Sequence, residues 1–185
     1  MKYEGQSTHR MSICGLSREL PVVEVAPGLW IASFVMLGDV NLVNACAAAL
    51  AGRLKDREFD LLVGPEAKVV PLLQALATVM GHDRYVVCRK SQKSYMKSPL
   101  VVNAESITTS GVQTLVLDDP DARLLRGKRV AIVDDVVSTG GSLKAMEELM
   151  EIAGAKVACE AAVLKEGTFY SGDLIYLADL PVFTP

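Results

Sequence analysis

The chain has 185 residues, half of them hydrophobic, and a formal net charge of -3. That length suits one globular core, and the mild acidity gives no overall pull toward nucleic acid or an anionic membrane, so any anion site must be a local gathering of cations. The four cysteines, Cys14, Cys46, Cys88 and Cys159, form no Cys-x-x-Cys pair, a spacing that fits neither a zinc site nor a disulfide framework and suits a reducing compartment.

The opening residues "MKYEGQSTHRMS" are polar where a secretion signal would be apolar, and the greasy stretch from Val22 to Leu37 is broken by Glu24, Pro27 and Gly28. A cytoplasmic chain without membrane spans is expected. "DVNLVNACAAALAGRL" then offers Asp39 as an N-cap, with Val40, Val43, Ala47, Leu50 and Leu54 on one face, the pattern of an amphipathic helix. "DLLVG" and "RYVVC" read as strands on either side of a helix over Val69 to Met80. Residues Arg89 to Gly111, "RKSQKSYMKSPLVVNAESITTSG", are too polar and too long for an ordinary connection, so a functional lid is expected there.

"VQTLVL", "RVAIVD", "KVACEAAVL" and "DLIYLA" complete the strand-like runs, with a helix over Ser142 to Ala153 striped by Leu143, Met146, Leu149, Met150 and Ala153 and stopped at Gly154. Alternating strands and helices predict an α/β fold with a mainly parallel sheet flanked by helices. Such sheets bind ligands in the loops beyond the strands' carboxyl ends.

"VAIVDDVVSTGGS", Val130 to Ser142, is the stretch richest in chemistry. An apolar run suits a central parallel strand. Asp134 and Asp135 follow it, and Ser138, Thr139, Gly140, Gly141 and Ser142 supply hydroxyls and closely spaced amides at the start of a helix. Such a turn cradles a phosphate, while paired carboxylates accept hydrogen bonds from a vicinal diol or from water on a divalent cation. A ribose carrying a 5-phosphate satisfies both halves. Neither the G-x-x-x-x-G-K-[ST] nor the G-x-G-x-x-G pattern occurs.

Val130 to Ser142 resembles the binding signature for 5-phosphoribosyl-1-pyrophosphate (PRPP) in the type I phosphoribosyltransferases, and the likeness runs from about Pro21 to Gly167. It is nearest the branch containing adenine phosphoribosyltransferase. "DLLVGPEAKVVPL" resembles that branch's strand and pyrophosphate loop, with Glu66, Ala67 and Lys68; "VVCRKSQKSYM" resembles the next strand and basic loop, with Arg89, Lys90 and Lys93. The resemblance implies a small N-terminal hood and one domain: tail and hood over 1–38, core over 39–165, and a C-terminal strand and tail over 166–185. It also implies a homodimer.

The implied reaction moves the ribose 5-phosphate group from PRPP to a nitrogen base and releases pyrophosphate, in purine salvage. Mg²⁺ would arrive with PRPP, held mainly by substrate oxygens and water rather than directly by the protein. Asp134 and Asp135 would fix the ribose hydroxyls, residues 138–142 the 5-phosphate, and Glu66, Ala67, Lys68, Arg89, Lys90 and Lys93 the pyrophosphate. Glu105, near the branch's loop glutamate, is either a proton acceptor for the base or a lid surface acid.

"APGLWIASFVMLGD" keeps Pro27, Gly28, Gly38 and Asp39 of the branch's P-G-[IV]-x-F-R-D region and lacks the Phe-Arg-Asp. Trp30 and Phe34 there either stack on a purine or pack in the core. Lys165, donor only, suits a 6-oxo group, whereas adenine's amine wants an acceptor such as Glu166. The resemblance implies a purine base, adenine first; a 6-oxopurine or a pyrimidine is the alternative base, and a PRPP-binding regulator without catalysis the alternative function, although the first 20 residues are too few for a helix-turn-helix module.

Overall fold

The computed structural model describes the backbone of residues 1–105 and 112–185 and the side chains of 1–103 and 114–185. Its centre is a five-stranded sheet in the order β10-β9-β8-β4-β5, formed by Leu174–Leu180, Lys156–Glu166, Arg129–Val137, Leu61–Pro65 and Tyr85–Cys88. All four pairings are parallel. Val130 to Val133 in β8 are fully buried, as expected of a strand covered on both faces.

One face of the sheet packs on α1 (Val40–Leu54) and α2 (Val70–Met80). The other packs on α4 (Gly141–Ile152), on a hairpin of β6 (Leu100–Glu105) and β7 (Val112–Leu117), and on the short α3 (Asp119–Leu125). The α/β expectation holds, with three differences in detail. "VQTLVL" joins β6 in an antiparallel pair outside the parallel sheet. Part of the span expected to be a lid is thus a strand, because Leu100 and Val102 have Leu115 and Leu117 to pack with in the second core. Of the rest of that span, residues 89–99 form the connection from β5 to β6, and residues 106–111 lie outside the described residues. Finally, α3 went unforeseen, although Asp118 caps it through Asp119 N and Pro120 occupies its first turn.

Asp39 caps α1 as expected, accepting from Leu42 N at 3.1 Å. The buried stripe is Leu42, Val43, Cys46, Ala47, Leu50 and Leu54. Val40, expected on that face, is 68% exposed and lines an open groove with Val79 of α2, beyond the reach of the core.

A second sheet, β1-β2-β3-β11, forms the hood: Thr8–Ile13, Leu16–Ala26, Leu29–Ala32 and Val182–Phe183. The chain's last strand thus returns to the first part of the chain, where Phe183 pairs with Trp30. Ile13, Leu20, Ala32 and Phe34 belong to the same core as α1 and α2. Arg18 of β2 adds a polar tie, its guanidinium donating to both oxygens of Asp39 at 2.6 and 3.1 Å. Among the described residues, no helix is long and apolar enough to cross a membrane.

Candidate active site

A cavity of about 160 Å³ opens at the carboxyl ends of β4 and β8, lined by Pro65, Glu66, Lys68, Val69, Lys90, Asp134, Asp135 and Ser142. Three separate stretches singled out in the sequence therefore meet in one place. Asp134 and Asp135 lie within β8 rather than after it, because the ladder to β9 continues through Val136↔Leu164 and Val137↔Lys165. That extension buries them to 6% and 8% exposure.

Asp135 N donates to Asp134 Oδ1 at 2.8 Å, and among the described residues Asp135 Oδ2 has no partner. A buried acceptor without a donor is costly unless a ligand supplies one. Burial first, and then the charge of Asp135, push the Asp134 carboxyl up to about 8, with the Ser142 hydroxyl opposing. Asp134 therefore accepts from a donor-rich or cationic ligand best once its proton leaves.

Beyond β8, residues 138–140 turn into α4, with Gly140 at the N-cap in a left-handed conformation (φ 82°). Among the described residues no side chain caps this helix, so its first amides remain as donors for an anion. Ser138, Thr139, Gly140, Gly141 and Ser142 together form this turn and helix start.

The opposite wall follows β4. Gly64 is needed there, since a Cβ would lie 2.6 Å from the Val133 carbonyl of β8. The loop then passes through Glu66, a cis Glu66–Ala67 peptide, and Lys68 before entering α2. Glu66 ties two loops together: its carboxylate accepts from Arg89 Nη1 at 3.0 Å and from Lys90 N at 2.8 Å. Arg89, expected to face a diphosphate, also donates to the Tyr95 hydroxyl at 3.3 Å. Its guanidinium therefore holds the loop, while Lys68 and Lys90 line the cavity. Lys93 is turned aside, donating to Ser91 Oγ at 2.6 Å.

Glu166 closes β9 and is buried. Burial raises its carboxyl, and the Ser138 hydroxyl and Lys68 ammonium act in the opposite direction. This acid thus stands near Ser138 of one wall and Lys68 of the other, without lining the cavity itself. The sequence reading named it only as one possible acceptor; its signal was a second charge, after Lys165, at the end of an apolar strand.

The candidate base residues fare differently. Phe34 is 4% exposed in the first core, the packing alternative of its two readings. Trp30 stacks on Tyr3 with ring centroids 4.0 Å apart. Lys165 lies over the Tyr176 ring at 5.6 Å. None of the three lines the cavity between Asp135 and Lys68. The Glu105 side chain lies outside the described residues.

This geometry has known relatives. Residues 37–169 match the phosphoribosyl transferase domain family. The chain is 32% identical to the adenine phosphoribosyltransferase of Mycobacterium avium over 172 residues, spanning 92% of this chain and 89% of the relative. It is 34% identical to that of Saccharopolyspora erythraea over 152 residues, spanning 82% and 78%. The crystal structure of the adenine phosphoribosyltransferase from Thermoanaerobacter pseudethanolicus superposes with a TM-score of 0.65 at 25% identity, covering 94% of this chain and 95% of that one. With the paired acids, the uncapped glycine turn and the lysine-lined loop at the ends of one parallel sheet, this match makes the chain a member of the type I phosphoribosyltransferase family, on its adenine branch.

Proposed function

We propose that this phosphoribosyltransferase transfers the ribose 5-phosphate group of PRPP to adenine, in the cytoplasm and as a homodimer. The observation that carries the reading is the meeting of Asp134, Asp135 and Ser142 with Lys68 and Lys90 around one cavity. A ligand with a diol between two phosphate groups uses both walls.

In the reaction, N9 of adenine bonds to C1 of the ribose, the bond from C1 to pyrophosphate breaks, and N9 loses its proton. Because departure of pyrophosphate builds positive charge at C1, the protein's work is positioning and electrostatics rather than nucleophilic attack. Residues 138–142 hold the 5-phosphate through amides and hydroxyls. Asp134 and Asp135 accept from the ribose hydroxyls, which gives Asp135 Oδ2 the donor it lacks. Lys68 and Lys90 neutralise the leaving pyrophosphate, and Arg89 sets their loops through Glu66.

The buried, partnerless oxygen of Asp135 also suits a hydrated divalent cation arriving with PRPP. Bound Mg²⁺ would offset the charge of the diphosphate. Toward the base, Glu166 is the acceptor that matches an exocyclic amine.

Incubating the protein with Mg²⁺, PRPP and each of adenine, hypoxanthine, guanine, xanthine, uracil and orotate, then separating the nucleotides, tests the reading. AMP is expected as the main product. Exclusive consumption of another base overturns the adenine assignment; tight PRPP binding with no product from any base favours the regulatory alternative.

A further inference from the structure

We propose that Tyr170 is a positioning residue for the 5-phosphate end of PRPP, a strut that holds the Gly140 turn in its binding shape. The inference rests on residues 138–142 being the phosphate cradle. Tyr170 lies between β9 and β10, and its ring packs against the second core. A Cβ at position 140 would lie 2.7 Å from Tyr170 Cε2, and one at position 172 would lie 2.9 Å from Cε1. Two glycine backbones therefore close on the ring from different sides. Gly140 has no side chain of its own to define the turn; the tyrosine ring occupies that place.

The ring is itself anchored. Its hydroxyl donates to Glu160 Oε2. Glu160 sits in the middle of β9 at 6% exposure, and its other oxygen has no hydrogen-bond partner among the described residues. An acid buried in a strand is an expensive way to fill space, so an anchoring role gives it a reason to be there. Glu147 of α4 and Asp173 in the β9–β10 connection add negative charge around the pair. Burial and these acids raise both the Glu160 carboxyl and the Tyr170 phenol. The phenol thus stays a donor throughout the neutral range, and the tether does not depend on its ionisation.

The physical advantage is preorganisation. Thr139-Gly140-Gly141 is a flexible run whose amides bind phosphate only when they converge, and a turn competent for a fraction of the time binds more weakly by that fraction. A wall on one side keeps the turn competent before ligand arrives.

Calorimetry of ribose 5-phosphate, of Mg²⁺-PRPP and of Mg²⁺-pyrophosphate against wild type, Tyr170→Ala, Tyr170→Phe and Glu160→Gln separates the possibilities. In Tyr170→Ala, ribose 5-phosphate and PRPP are expected to bind roughly tenfold more weakly, with pyrophosphate unchanged. Tyr170→Phe keeps the ring and loses the tether, so a loss of about threefold is expected; Glu160→Gln keeps an acceptor and should bind as wild type. In turnover, the PRPP KM should rise while kcat holds. Unchanged ribose 5-phosphate binding in Tyr170→Ala, or equal losses for ribose 5-phosphate and pyrophosphate, overturns the strut. Should the alanine variant fail to fold, unchanged ribose 5-phosphate binding in Tyr170→Phe overturns it instead. If wild-type protein binds Mg²⁺-pyrophosphate but not ribose 5-phosphate, the cradle reading itself falls, before any variant is compared.

Discussion

The wall that we assign to ribose and phosphate and the side that we assign to the base are built in opposite ways. The first is one continuous stretch, strand β8, a glycine turn and helix α4, with its acids, hydroxyls and amides placed by local geometry. The second draws on Glu166 at the β9 terminus, beside a hood sheet in which β11 pairs with β3 across most of the chain's length. A site made from contiguous residues carries its chemistry as a motif. One assembled from distant segments reveals it only through packing.

The sharpest way to break this comparison is to remove charge from the local wall. Asp135→Asn keeps the shape while weakening acceptance from the ribose, and a hydrogen bond to a charged group contributes about 1.5–3 kcal/mol, so PRPP should bind about 10- to 100-fold more weakly. Stability should move the other way, since the change removes a buried carboxylate that has a partnerless oxygen. Titration calorimetry and a thermal melt of one preparation read both. A variant that loses stability together with affinity would show that Asp135 serves the fold rather than the ligand.

Glu166→Gln addresses the other side. Adenine turnover should fall about tenfold in kcat/KM, because the amide presents a donor where the amine needs an acceptor only, and hypoxanthine should gain relative to adenine. An unchanged ratio in the base panel would place base recognition elsewhere.

How far each region was legible follows from the same contrast. Val130 to Ser142 announced strand, acids, turn and helix because each step depends on neighbours in sequence. Lys68 and Lys90 were equally visible as cations in loops. Arg89 was visible too, but its ties to Glu66 and Tyr95 depend on loops that meet only in the fold. Trp30 illustrates the harder case. Aromatic character alone leaves both stacking on a base and packing in a core open, and the neighbours that Trp30 meets in the fold, Tyr3 and Phe183, arrive from the two ends of the chain. The β1–β2 hairpin was missed for a related reason. Its residues alternate between exposed and half-buried, so its apolar signal is weak.

A pH series sharpens the comparison without mutation. The Asp134 carboxyl, pushed up to about 8, binds its proton more tightly in the folded chain than an ordinary carboxyl does at about 4. Between those values the native state holds more protons than the unfolded state, so this group makes stability fall as pH rises from about 4 to about 8, with no further change above. PRPP affinity should rise over the upper part of the same window as Asp134 loses its proton, then level off. Parallel slopes for stability and affinity would contradict that assignment.

The smallest effect belongs to the hood. Asp39 caps α1 through Leu42 N and pairs with Arg18, and the Arg18 hydrogen bond, followed by the Leu42 amide, holds its carboxyl below the ordinary range. Asp39→Ala should cost about 1 kcal/mol, the usual value of an N-cap, which for a chain of this size lowers the melting midpoint by about 2–4 °C. Because the folded carboxyl is depressed, its contribution is present above the unfolded value near 4 and disappears as pH falls through the lower folded value, so wild type and variant should converge in acid. Neither residue lines the cavity that holds Asp134, Asp135 and Lys68. PRPP affinity in Asp39→Ala should therefore match wild type near neutral pH. A loss of PRPP affinity in this variant would mean that the hood's seat on α1 reaches the phosphate wall, and that the two regions are coupled rather than independently built.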